Sequence, residues 1–468
     1  MNITSRYKIQ FVGITNVVIM GALVLVAFLS NGIYLLACLA TIYLVMMLLW
    51  RSHRPGILVF AFVMQWTQIA AYVVWMNVMG KDINFLSPHA GIAVLMSCLG
   101  VLVMALVLSQ RVNSLPIPSS EQLSAQAKLI NEKKMLMLYL FSTFFLGGIG
   151  FILGPSSGFA QILITLSSLK WAFFLVYAFV CWINKKNRVL LIVIILFEFT
   201  TSLYSYFSSF KEVILMTILL ALTFVRRISF RQFMNGFLTA LVLGFLLLTW
   251  TAIKNDYRQF LNGGTRKQVV GVSRSEAFSK IEEKVGTLSV EDYQNAGMLF
   301  LYRLQYIYHL AKTMDRVPEV LPYEYGAVWW GNITFVLEPR LLFPDKPIYE
   351  ATVKTNKYTG IRYAGFKLGS SFSLGYFADS YIDFGFVGMV IPLALIGFFV
   401  SLIYRSLYRL KGLNLLIRYA LINVALFEFG SFEADGLFLF GRLLLTILVF
   451  YTLAKTVLPP LQRWLYKA

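Results

Sequence analysis

Uninterrupted apolar runs recur along the chain, separated by short polar segments. Most are long enough to cross a hydrocarbon core of roughly 30 Å, and the eighth is short. About twelve such runs are present, at 9–29, 33–50, 57–79, 90–108, 135–153, 161–183, 189–206, 212–225, 233–253, 386–404, 413–430 and 437–455. Their apolar positions are continuous rather than alternating, so they predict helices and not the strands of a membrane barrel. The fold expected is all-α, a polytopic integral membrane protein. The run Phe11 to Leu29 is read as a span and not a signal peptide, because it is long enough to cross and no small-residue cleavage site follows it. No fixed-period repeat and no low-complexity tract accompanies the runs.

Charge orients the runs. Alternate short segments carry Arg6 and Lys8, Arg51 and Arg54, Arg111 with Lys128, Lys133 and Lys134, then Lys185, Lys186 and Arg188. The same set continues with Arg226, Arg227 and Arg231, Arg405, Arg409 and Lys411, and Lys455, Arg463 and Lys467. The opposite short loops carry Lys81 and Lys211. Lysine and arginine mark the cytoplasmic side, so both termini are expected there. Residues 254–385 then form one long segment on the outside. The expected division is a bundle at 1–253, an outer and mostly helical loop domain at 254–385, and three closing spans with a cytoplasmic tail at 386–468.

Composition agrees with this layout. The 468 residues are 58% hydrophobic and 13% charged, and their mean hydropathy is +0.71. Soluble domains run near a quarter charged. The net charge of +19 follows from the loop asymmetry and is not read as a face for nucleic acid. Cys38, Cys98 and Cys181 all lie in apolar runs and read as packing residues, with no disulfide and no metal cluster expected.

Candidate chemistry concentrates in the long segment. It opens basic, KNDYRQFLNGGTRK from Lys254 to Lys267. Ser289 with Asp292 has the spacing of a capping box, and predicts a helix from Ser289 that ends before Pro318. Arg303 sits in that helix among Leu301, Tyr302, Leu304 and Tyr306. It either reaches to an interface or faces an anion. Pro339, Pro344 and Pro347 stiffen EPRLLFPDKP, and hold Arg340 and Lys346 as a rigid cationic hook suited to phosphate. The alternative is a turn whose charges pair internally, Arg340 with Glu338. Aromatic rings crowd the region, Tyr325, Trp329 and Trp330 among them, and such rings stack on sugars and also mark interfaces. Asp379 and Asp383 share a helix face at their spacing, to supply a general base, to cap the span, or to pair with Lys367 and Arg362. His309 is a further base candidate because imidazole titrates near neutral pH; packing in an aromatic stripe is its alternative. Within the runs, Glu428 and Arg442 are expected to pair. No motif for a metal or nucleotide cofactor is found, and none is expected.

Four stretches, in order, resemble the Wzy-type polysaccharide polymerases: SYFSSFKE at 205–212, YRLQYIYHL at 302–310, VPEVLPYEYG leading to PRLLFPDKP, and YIDFGFVG at 381–388. The resemblance covers about residues 200 to 392. It implies a fold similar to the multi-span GT-C glycosyltransferases, working at the outer face of a bacterial inner membrane. It implies transfer of a growing glycan from undecaprenyl diphosphate to a lipid-linked repeat unit, with a flippase and a chain-length regulator as companions. On that footing Arg340 and Arg303 bind the diphosphate with Lys346 and Lys211 in support. Asp383 or Asp379 serves as base with His309 behind them, and Trp329, Trp330 and Tyr325 bind glycan. An O-antigen ligase shares this layout, and a flippase or transporter is the alternative of another class.

Overall fold

Helices make up almost all of the regular structure, and the parallel strand pair Gln10–Phe11 with Arg227–Ile228 is only two residues long on each side. The computed structural model describes residues 10–11, 21, 24–153, 160–203, 210–225, 227–263, 271–339, 342–343, 345–365 and 371–466. Among these, seven helices are long and apolar enough to cross a membrane: Gly32–Leu49, Ile57–Val78, Ala90–Val112, Gln161–Asn184, Phe230–Leu261, Val390–Tyr408 and Gly436–Lys455. By length and composition this is a helical membrane protein.

Four further runs are also helical but differ from those seven. Glu132–Leu153 starts with charge, and Arg188–Leu203 and Phe210–Phe224 have 16 and 15 residues. The run 413–430 breaks into Leu415–Ala425 and a 3-10 turn at Phe427–Gly430. Most of the run 9–29 lies outside the described residues.

The most enclosed of the seven is Ile57–Val78. Its polar residues explain its place. The Ile57 N–H donates to Asn423 Oδ1 (3.1 Å), and Gln65 Nε2 donates to the Phe429 carbonyl (2.6 Å). Tyr376 donates its hydroxyl to Gln65 Oε1 (2.9 Å). Each would carry a penalty if buried alone, so these bonds fix which elements pack on this helix.

Cation-rich segments gather at the end where that helix begins. Arg54 Nη2 donates to the Leu115 carbonyl (2.5 Å), Arg405 Nη1 to the Arg111 carbonyl (2.8 Å), and Lys134 Nζ to the Trp464 carbonyl (2.7 Å). The second half of the helix meets the long segment instead. The Tyr306 N–H donates to the Gln68 carbonyl (3.3 Å).

Much of the long segment is welded into the bundle. Ile307, Leu310, Met314, Tyr358 and Tyr376 belong to the same buried core as Tyr72, Met104 and Phe429. Its first part is different: Tyr257, Leu261 and Ala277 form a small separate cluster. The helix Phe230–Leu261 runs on past 253, and so carries Lys254 and Arg258 on the same rod. The expected pair Glu428–Arg442 is made, and Lys170 reaches Glu198 at 3.5 Å.

Candidate functional site

Two polar groups stand out, and they differ in kind. The first is cationic. Lys254 lies within electrostatic reach of Arg258, Arg303 and Lys211. Three elements bring these together. Lys254 and Arg258 are four apart on Phe230–Leu261, and so share a face. Arg303 ends the helix Val290–Leu304, whose start is the expected capping box of Ser289 and Asp292. Lys211 is the second residue of Phe210–Phe224.

Nearby carboxylates are engaged elsewhere. Glu212 accepts from Trp171 Nε1 (2.9 Å), and Asp256 is paired with Lys284 (2.6 Å). Among the described residues, Lys211, Lys254 and Arg303 have no carboxylate partner. Like charges within electrostatic reach of one another raise the affinity of the spot for an anion. Arg303 and Lys211 were readable as candidates in the sequence. Lys254 and Arg258 were visible only as a basic stretch.

The second group is a buried knot that holds its own counter-charges. Lys354, on the helix Ala351–Thr359, bridges Asp379 (2.7 Å) and Asp435 (3.0 Å). Asp379 also accepts from Asn332 Nδ2 (3.0 Å) and the Gly436 N–H (2.9 Å). Asp435 accepts from the Tyr349 hydroxyl (2.6 Å), the Ser373 hydroxyl, and the N–H groups of Leu374 (3.0 Å) and Gly375 (3.2 Å). Gly375 has φ +86°, and a Cβ there would sit 2.7 Å from the Phe432 carbonyl, so the close approach requires glycine. Burial works against the Lys354 ammonium, but Asp379 and then Asp435 outweigh it and hold its pKa above the ordinary lysine range. Burial pushes the Asp379 carboxyl up, Lys354 pulls it back, and Asp435 adds to the rise.

Asp379 and Asp383 do share one face of the helix Tyr376–Gly388, toward the helix Ala327–Leu337. Neither is an open carboxylate. Asp383 accepts from the N–H groups of Val328 (3.0 Å) and Trp329 (2.8 Å), and so caps Ala327–Leu337. Burial raises its pKa, and the N–H donors of Trp329, Val328 and Gly326 lower it again. Asp383 is a cap, but of Ala327–Leu337 and not of the span that follows it. The partner of Asp379 is Lys354 and not Arg362, while Lys367 lies outside the described residues.

The hook divides. Arg340 lies outside the described residues. Lys346 turns its ammonium onto the carbonyls of Phe335 and Glu338 (2.6 Å to the second) and over the Phe335 ring at 3.6 Å. It closes the C-terminal end of Ala327–Leu337, where a cation is favoured. Trp329 is a packing residue: its Nε1 donates to Ser380 Oγ (3.2 Å), and a Cβ on Gly436 would strike its ring. Trp330 and Tyr325 are exposed, at 69% and 81%.

His309 is buried on the helix Ile307–Met314, with the rings of Tyr306, Tyr363 and Tyr308 at 4.8, 5.5 and 6.0 Å. Burial pushes its pKa down to about 4, so the imidazole is neutral at pH 7. Beside Tyr306 lies a residue the sequence did not bring forward. Glu433 is half-buried and accepts from Gln68 Nε2 at 2.5 Å. It sits in the outer turn SFEADG, where only its polarity marked it.

No curated protein and no solved structure matches the chain. Residues 58–457, which contain the cation group, the knot and the His309 cluster, match the family described as "Domain of unknown function (DUF8712)", and the chain belongs to that family.

Proposed function

We propose that the chain is a Wzy-type membrane glycosyltransferase. It polymerises undecaprenyl-diphosphate-linked repeat units at the outer face of a bacterial inner membrane. The chain crosses about twelve times, both termini are cytoplasmic, and 254–385 lies in the periplasm. A flippase and a chain-length regulator are its companions.

The observation that supports this reading is the group Lys211, Lys254, Arg258 and Arg303. The reaction forms a bond from an acceptor hydroxyl oxygen to the anomeric carbon of the donor. The bond from that carbon to the diphosphate breaks, and undecaprenyl diphosphate leaves with the electron pair. Negative charge grows on the leaving oxygen, and fixed cations at a partly dehydrated site stabilise it. Arginine supplies a planar fork and lysine a point charge. The hydroxyl proton needs a base, and Asp379 and Asp383 are committed to the knot and the cap. Our candidate for it is Glu433, half-buried beside Tyr306 with one of its oxygens, Oε2, engaged by Gln68. The ion pairs Lys170–Glu198 and Glu428–Arg442 leave those charges partnered, which does not favour a charged transport path.

The test uses purified protein with lipid-linked single repeats from its own host, and products separated on a gel. Wild type gives a ladder of longer lipid-linked glycans. Arg303→Ala, Lys211→Ala and Arg340→Ala, each shown to be folded, lose it. Transfer only when lipid A core is supplied means a ligase. No transfer to either acceptor by folded protein overturns the enzyme reading.

A further inference from the structure

The buried face between Ile57–Val78 and the turn around Tyr306 holds polar atoms that the protein does not satisfy. His309 leaves both Nδ1 and Nε2 without a hydrogen-bond partner, at 7% exposure. Gln68 leaves Oε1 open, also at 7%, and Trp75 leaves Nε1 open at 8%. Gln68 and Trp75 are seven apart, two turns of helix, and so lie on one face. That face is the one the turn covers: Tyr306 bonds to the Gln68 carbonyl, and the Tyr302 ring meets the Trp75 ring at 5.5 Å. Tyr363 closes the group, stacked on Phe372 at 4.4 Å and beside His309.

A buried polar atom without a partner costs about 1–3 kcal/mol, so these orphans, Gln68 and Trp75 on Ile57–Val78 and His309 on Ile307–Met314, favour an occupant that satisfies them. The chemistry narrows what that occupant is. An apolar group would leave the orphans unmet. An anion finds Glu433 here, while Lys312, over the Tyr308 ring at 5.8 Å, is already paired with Asp315. Among the described residues no three His, Cys, Asp or Glu side chains converge as a metal would need. Flat aromatic faces with scattered neutral donors and acceptors suit a sugar, whose C–H face stacks and whose hydroxyls both give and take hydrogen bonds.

We propose that the interface between the Gln68–Trp75 face and the Tyr302–His309 turn is a subsite for an uncharged, polyhydroxylated sugar residue, with His309 as its central hydrogen-bonding group. The inference rests on the glycosyltransferase reading, and makes this the place where the acceptor end of the glycan is held beside Glu433. A neutral imidazole accepts from one hydroxyl and donates to another, which matches its two open nitrogens.

The chain has three histidines, His53, His89 and His309, so imidazole-labelled full-length protein gives three resolvable rings. The probe is the lipid-free repeat oligosaccharide, released by mild acid from the lipid-linked glycan of the host. The His309 nitrogens are expected to shift and saturate, and those of His53 and His89 to stay in place. His309→Phe keeps a ring without nitrogens and weakens binding at least tenfold. His309→Gln keeps one donor and one acceptor and weakens it less than threefold. A His309 signal unmoved by the oligosaccharide overturns the proposal, and so does an equal shift with inorganic pyrophosphate. The shift without a polymer ladder leaves the subsite standing and removes the polymerase. A ladder without the shift does the reverse.

Discussion

Lys354 sits between two carboxylates, with three backbone N–H groups, two hydroxyls and the Asn332 amide donating to them. Lys254 sits among Arg258, Arg303 and Lys211. Both lysines belong to segment 254–385, and by residue type alone they are alike. What separates them is what surrounds the charge. A buried ion held by opposite charges and donors fixes a structure, and removing one member exposes the rest. Lys211, Lys254 and Arg303, with no carboxylate partner among the described residues, fix nothing by themselves and favour an anionic ligand. The first group therefore reads as the joint that ties Ala351–Thr359 and Ala327–Leu337 to the starts of Tyr376–Gly388 and Gly436–Lys455. The second reads as the site.

The sharpest way to break this contrast is to empty each group and compare stability. Lys354→Met leaves two buried carboxylates unneutralised and costs about 3–5 kcal/mol. It would show as a large fall in thermal midpoint in detergent. Adding Asp379→Asn to it should recover part of that loss, a coupling that a double-mutant cycle reads directly.

Next in size is a pH effect. The folded pKa of His309 is pushed down to about 4 against an ordinary 6.5. The unfolded chain therefore takes up a proton here first as pH falls. Stability is full above pH 6.5, declines on the way down, and levels off below 4, a loss of about 3 kcal/mol. Unfolding free energies across that range should flatten in His309→Phe by this amount.

Smaller again is the cap. Asp383→Ala frees the first N–H groups of Ala327–Leu337 and costs ~1 kcal/mol. Asp383→Asn, which still offers a carbonyl oxygen, costs less. If Asp383→Asn instead kept full stability and abolished polymerisation, the carboxylate would be the base and the cap assignment would fall. The smallest effect belongs to the cations. Arg303→Ala or Lys211→Ala changes stability by no more than about 0.5 kcal/mol, because each removes a repulsion rather than a bond. A fall as large as that of Lys354→Met would erase the distinction between joint and site.

The same contrast explains what the sequence could disclose. Local relations were legible. The Ser289–Asp292 box spans three residues, and it forms; Asp379 and Asp383, four apart, do share a face. The pair Glu428–Arg442 was also readable, because both charges flank one short turn. The Lys354–Asp379–Asp435 joint was not, since nothing local in ATVKTNKYT announces partners on two other helices. Asp383 was hidden for another reason: its partners are backbone N–H groups, which leave no mark in a sequence. Hydropathy likewise marks an apolar stretch but not where the helix inside it breaks. Residues 413–430 are apolar almost throughout, yet the α-helix stops at Ala425 and a 3-10 turn follows.

Of all these measurements, a titration with undecaprenyl diphosphate tests the central claim most directly. A ligand that binds only the folded protein at a hundred times its Kd adds about 2.7 kcal/mol of stability. The account predicts a saturable rise in thermal midpoint for the wild type, and its loss in Arg303→Ala and Lys211→Ala at unchanged baseline stability. An equal rise in all three proteins, or none in any, would contradict it.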